Sequence, residues 1–132
     1  MTIFALQDAP ISQQIAAVER GIPSSFLRSL ASTTGLSEQR ILRGLDLSQR
    51  TITARKKAGA RFSAVESERI LRVVRIYRTA SKVFTTRLAI SEWLAAPDRS
   101  LGSKSPLEML RTDLGTAKVE NLVRAMIHGV PA

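Results

Sequence analysis

Two four-residue segments, Ser63-Ala64-Val65-Glu66 and Ser105-Pro106-Leu107-Glu108, fix how this chain must begin two of its helices. In each, the serine hydroxyl can accept from the backbone N–H of the glutamate, whose side chain reaches back to the serine N–H. The second adds proline at the first helical position, where its missing N–H costs nothing. Beyond Ser63, Ile70, Val73, Val74, Tyr77, Ala80 and Phe84 recur at helical spacing and predict a long helix to about Phe84. Its opposite side carries Arg72, Arg75, Thr79 and Lys82, a stripe that suits either solvent or a DNA backbone. Period-two alternation bounded by turn residues does not recur, so the expected fold class is all-α.

The remaining helices follow from start and stop signals. One is expected from Pro10 to Arg20, ended by Gly21. A second spans about Ser24 to Thr33, with Phe26, Leu27, Leu30 and Ala31 on one face and Gly35 after it. A third spans Thr86 to Ala95 and stops before Pro97, because proline lacks an N–H and restricts the residue before it. Residues 97–104 (PDRSLGSK) read as a polar linker. A short helix then runs from Pro106 to near Arg111, and Thr112-Asp113 starts a last one, with Gly129 as C-cap after His128. Residues 1–9 look like a loose or partner-docked arm. The expected division is an N-terminal unit over 1–84 and a C-terminal unit over 85–132. In 132 residues with 44% hydrophobic content these units can share one core.

Charge divides the chain a few residues further on. Between Gly21 and Ile90 lie fourteen of the twenty basic residues and four acidic ones, whereas Ser91 to Ala132 holds five of each sign. A net charge of +9 points to a polyanionic partner, with nucleic acid first. A membrane surface ranks low, because the basic residues are not massed beside one apolar face.

Within the basic region, Ser37 to Lys57 reads as a helix-turn-helix. Ser37 caps the first helix, and Ile41, Leu42 and Leu45 supply its buried side. Asp46 takes the turn position where glycine is common, since Asp tolerates left-handed backbone. Leu47 plugs the turn into the core, Ser48 caps the second helix, and Ile52 anchors it inward. That second helix would enter the major groove, with Ser48 at a phosphate and Gln49, Arg50 and Thr53 at base edges. Arg55, Lys56, Lys57 and Arg61 come later and suit phosphates, which supply affinity without sequence information. A plain helical hairpin with solubilising Arg and Lys would show the same pattern.

Several function classes find little support. The absence of cysteine removes disulfides and thiolate metal sites and suits a reducing cytoplasm. No signal peptide or membrane span is evident. One histidine and no clustered carboxylates make a metal or cofactor site improbable, and no nucleophile–base pair suggests an enzyme. Few aromatics are available to stack RNA bases. Trp93 reads as core or dimer interface, and His128 as a contact or cap residue.

The neutral tail suits a protein interface better than DNA. Its apolar stripe of Val119, Leu122, Val123, Met126 and Ile127 either completes the core or meets a partner. Gly115, costly within a helix, marks close approach of a neighbouring backbone or is merely tolerated. The order Trp93-Leu94, Pro97, Leu101-Gly102, Ser105-Pro106-Leu107, Leu110, Thr112, Gly115, Val119, Leu122, Ile127 and Gly129 resembles the C-terminal toxin-binding domain of the Xre/MbcA/ParS family of antitoxins. Upstream, LSQRTITARKKAGARFSAVESERILRV resembles the Xre-type helix-turn-helix and following helix, so the likeness covers about residues 36–132. Asp46 and Lys104 depart from the family's commoner glycine and small residue.

The resemblance implies a type II antitoxin, not an enzyme. Its partner would be a RES-domain toxin that degrades NAD or transfers its ADP-ribose. The tail would cover the toxin's active-site cleft, through Leu107, Arg111, Gly115, Lys118, Val119, Leu122, Arg124, Met126, Ile127, His128 and Gly129. The helix-turn-helix would bind the operon's own promoter from a homodimer. The rival expectation is a helix-turn-helix transcription regulator with a dimerisation tail and no toxin.

Overall fold

The structure, a computed structural model, describes residues 2–129. Within them lie α1 (Ile3–Asp8), α2 (Ile11–Arg20), α3 (Phe26–Thr34), α4 (Glu38–Gly44), α5 (Gln49–Lys57), α6 (Ala64–Ala80), α7 (Arg87–Ala95), α8 (Pro106–Met109) and α9 (Asp113–Ile127), with one 3₁₀ turn at Arg99–Leu101. The all-α expectation holds among the described residues.

Both capping boxes close as the sequence requires. Ser63 Oγ accepts from Glu66 N at 3.1 Å and Glu66 Oε1 from Ser63 N at 2.7 Å; Ser105 and Glu108 repeat the pattern. The α6 so initiated is the axle of the fold. Ile70, Val73, Val74, Ile76 and Ala80 are fully buried, and α1, α2, α3 and α9 pack around it. One apolar cluster runs from Ile3 through Leu30, Ile41 and Ile70 to Leu110, Val119 and Val123, so the first and last helices share a core.

Three expectations change. The loose or partner-docked arm expected over residues 1–9 is, from Thr2 on, part of the fold: Thr2 caps α1, and Ile3 and Leu6 are buried. Phe4 stands edge-on to Tyr77 at 6.0 Å, while Arg78 covers the Phe4 ring, donates to its carbonyl at 2.9 Å and pairs with Asp8 at 2.8 Å. Residues 97–104 are not a slack linker either. Asp98 N donates to Lys104 O and Ser103 N to Asp98 O, Gly102 and Ser103 turn the chain at positive φ, and Leu101 is buried. The long helix ends at Ala80, where Ser81 caps it, although Phe84 still packs against the core beside Trp93 at 5.4 Å.

Ahead of α3 and α6, two extended segments zip together. Phe62 N donates to Ile22 O, Ile22 N to the buried Ser67 hydroxyl, and Pro23 bridges to Arg61. Gly21 sits at φ 91° with Phe62 O where a Cβ would stand, so only glycine serves there.

Candidate nucleic-acid and partner interfaces

The helix-turn-helix forms as read. Ser37 Oγ caps α4 by accepting from Arg40 N, and Ser48 Oγ caps α5 by accepting from Thr51 N. Between them, Leu47 N donates to Leu42 O and Asp46 N to Arg43 O, with Asp46 at φ 56°. Those two bonds are a Schellman motif with aspartate in the left-handed seat. Among α5 residues Ile52 alone is buried; Gln49, Arg50, Thr53 and Lys57 are exposed around one shallow concavity. A helix that commits so little of its surface to the core is available to an external partner.

The expected phosphate contacts divide. Arg50 and Lys57 enter no ion pair among the described residues. Arg55 instead lies 2.8 Å from Glu66 Oε1, which ties α5 to the capping box of α6. Lys56 pairs with Glu38 of α4 at 2.7 Å. Arg61 donates to Gly21 O at 2.9 Å. These three cations hold α5 and its flanks in place.

The basic stripe of α6 is also largely spent within the fold. Arg72 is not at solvent but buried. Its guanidinium donates to Leu110 O at 3.1 Å, to Arg111 O at 3.2 Å and to Asp113 Oδ1 at 2.6 Å. Arg75 pairs with Glu120 at 3.2 Å. The stripe suited either solvent or a DNA backbone; at Arg72 and Arg75 the second half of the protein occupies it.

In the tail, the expected partner residues separate by burial. Leu107, Val119 and Leu122 lie in the core, where α8 and α9 close over α4 and α6, and Met126 is half-buried. Their surface is spent on this chain itself. Gly115 meets Met109: a Cβ would run into that residue's carbonyl oxygen, so glycine lets α9 seat against α8. Arg111 points inward, donating from Nε to Gly44 O at 2.7 Å and from the guanidinium to Arg43 O at 3.1 Å. Lys118, Arg124, Ile127, His128 and Gly129 are exposed. So is Leu114, at 86% the most open large apolar side chain among the described residues. Sequence reasoning passed over Leu114. The signal was present, because Leu114 lies off the Val119, Leu122, Val123 stripe while remaining fully apolar. Val130, Pro131 and Ala132 lie outside the described residues.

A cap-defined helix-turn-helix with an outward α5, sharing its core with a small helical C-terminal module, defines a helix-turn-helix protein of two joined helical modules. The antitoxin Xre-like helix-turn-helix domain matches residues 13–75, and the antitoxin Xre/MbcA/ParS C-terminal toxin-binding domain matches residues 79–129. The chain is 30% identical to antitoxin Xre of Yersinia enterocolitica over 118 residues, covering 88% of this chain and 79% of that protein. It is 29% identical to antitoxin Xre of Photorhabdus laumondii over 116 residues, covering 87% and 78%. Its fold matches a chain of the crystal structure of the M. tuberculosis MbcT–MbcA toxin–antitoxin complex with a TM-score of 0.61 at 23% identity, over 83% of this chain and 96% of that one. This chain belongs to the Xre/MbcA/ParS family of antitoxins.

Proposed function

We propose that this antitoxin neutralises a RES-domain toxin, an enzyme that consumes NAD or transfers ADP-ribose, by laying its tail over the toxin's substrate entrance. The exposed face of α9 carries this reading. Leu114 at its start and Ile127 at its end are separate exposed apolar contacts, with Lys118, Arg124 and His128 exposed on the same helix and its cap, a composition that suits a protein partner. Leu107, Val119 and Leu122 act indirectly, by fixing the α8–α9 platform. Co-expression with the neighbouring toxin gene tests the proposal: Leu114→Asp should abolish growth rescue and co-purification while the protein stays folded. Full rescue by that variant removes α9 from the interface.

The same chain represses its own promoter. Gln49 and Arg50 read base edges, Thr53 and the Ser48 cap lie beside them, and Lys57 meets the backbone. Arg55, Lys56 and Arg61 support this pose from within. Repression from a homodimer is favoured by Ile11 and Ile15, 69% and 52% exposed one helical turn apart on α2. Their surroundings carry little net charge, so two copies at +9 each can approach there with least repulsion. Mass measurement of wild type and of Ile11→Glu/Ile15→Glu checks it: a dimer that survives both charges does not use α2. The same mass measurement on the toxin complex gives the stoichiometry.

A further inference from the structure

Four consecutive carbonyls at the end of α4 are held by arginines from elsewhere in the chain. Arg111 takes Arg43 O and Gly44 O, and Arg69 takes Leu45 O at 3.1 Å and Asp46 O at 3.3 Å. Arg69 belongs to α6. Arg111 belongs to the tail, between α8 and α9, and its own carbonyl is held by the buried Arg72. The tail also fills the space beside Gly44 with the Leu107 side chain. Only Leu45, Asp46 and Leu47 separate Gly44 from Ser48, the residue that caps α5.

We propose that Arg111 is a positioning residue for the DNA-reading helix, supplied by the toxin-binding half. The reasoning is geometric. A helix C-terminus leaves four carbonyls without partners inside the helix, and whatever satisfies them fixes where the chain leaves. Here the exit carries a non-glycine residue at positive φ, a conformation that costs energy and persists only where its surroundings enforce it. Arg111 enforces it together with Arg69: its two charge-assisted bonds come from the Nε and Nη2 donors of one planar fork, which sets orientation as well as distance. The pose of α5 thus depends on the α8–α9 junction, although no tail residue need touch DNA. An occupant that shifts Arg111 changes operator affinity through the same contact.

This inference rests on the DNA-binding reading above, and the experiment separates the two. Full-length wild type, Arg111→Met, Arg111→Lys and Arg50→Ala are titrated against a labelled duplex from upstream of the gene at several salt concentrations, after circular dichroism shows each to be folded. Hydrogen exchange of the free proteins is followed at Asp46, Leu47 and Thr51. For Arg111→Met the expected results are about tenfold weaker binding, an unchanged slope of log K against log salt, and faster exchange at all three amides. Arg111→Lys, which keeps charge but not the fork, should fall between. A slope reduced by about 0.9 would make Arg111 a phosphate contact and overturn the proposal. So would unchanged affinity, or unchanged exchange. A wild type that ignores the duplex defeats the DNA reading; the exchange result still decides whether Arg111 positions the turn. If Arg111→Met fails to fold, Arg111→Lys decides by the same two readouts.

Discussion

Leu107 packs its side chain into the space that a Cβ on Gly44 would occupy, and by that contact the C-terminal module is seated on the helix-turn-helix. Gly44→Ala therefore sets two effects against each other. Alanine favours the helix by about 1 kcal/mol over glycine. Overpacking against Leu107 costs about 1–3 kcal/mol. The net expectation is a lowered melting temperature, measured by thermal denaturation. In a Leu107→Ala background the clash is gone, so the same substitution should become neutral or stabilising. A double-mutant cycle with no coupling would mean that Gly44 is free of Leu107 in solution.

Gly115→Ala should be the harsher change. The obstacle there is the Met109 backbone carbonyl, which no rotamer can move aside. Seating α9 one methyl further out also loosens Val119 and Val123, both fully buried. A loss of at least about 2 kcal/mol is expected, in the range of overpacked core sites. Chemical denaturation read alongside Gly44→Ala checks the order of the two.

Much of the fold was legible because its determinants are local. Ser63, Ser105 and Thr112 mark helix starts through their own hydroxyls, and those starts fall within a residue of expectation. The helix-turn-helix was legible for the same reason. The failures were non-local. Arg72 looked solvent-facing because its partners, Leu110 O, Arg111 O and Asp113, lie some forty residues on. Charge counting could not tell a cation that awaits DNA from Arg55 or Arg75, already paired with Glu66 and Glu120. Six residues of α1 are too few to show a period, and its burial depends on Tyr77 and Arg78.

Arg72 and Asp113 form a close pair with unequal environments. The Arg72 side chain is 10% exposed and that of Asp113 is 81% exposed. Removing the arginine strands two carbonyls and opens a hole, whereas removing the exposed carboxylate leaves Arg72 its two carbonyl bonds and its pair with Glu68. Arg72→Ala should cost about 3 kcal/mol or more, from unsatisfied acceptors and lost packing. Asp113→Ala should cost about 1 kcal/mol or less. Equal losses in urea titrations would show that the ion pair, not the carbonyl bonds, holds α9 to α6.

Arg50 and Arg55 lie on one short helix and should fail in opposite assays. Arg50→Ala is expected to leave the melting temperature unchanged and to weaken operator binding by about 1–3 kcal/mol if its guanidinium reads a guanine edge. Arg55→Ala is expected to lower stability through the loss of Glu66, with a smaller effect on DNA. Anisotropy titrations and thermal melts on the same two proteins give the comparison. A stable Arg55→Ala with a large DNA defect would return Arg55 to the phosphate set.

Asp46 holds φ 56° at the seat of the Schellman motif, where glycine carries no steric penalty. Left-handed backbone costs an L-residue about 1–2 kcal/mol, less for aspartate, whose side chain can bond locally. Asp46→Gly removes that strain but adds entropy to the unfolded chain, and the two nearly cancel. Asp46→Ala keeps the Cβ and loses the carboxylate, so it should be the least stable of the three by about 1 kcal/mol. Because Arg69 and Arg111 grip carbonyls on either side of this turn, the alanine variant should also speed exchange of the Leu47 amide. Thermal melts of the three proteins, with exchange at Leu47, test both parts; an alanine variant as stable as wild type would show that the two arginines hold the turn without help from its sequence.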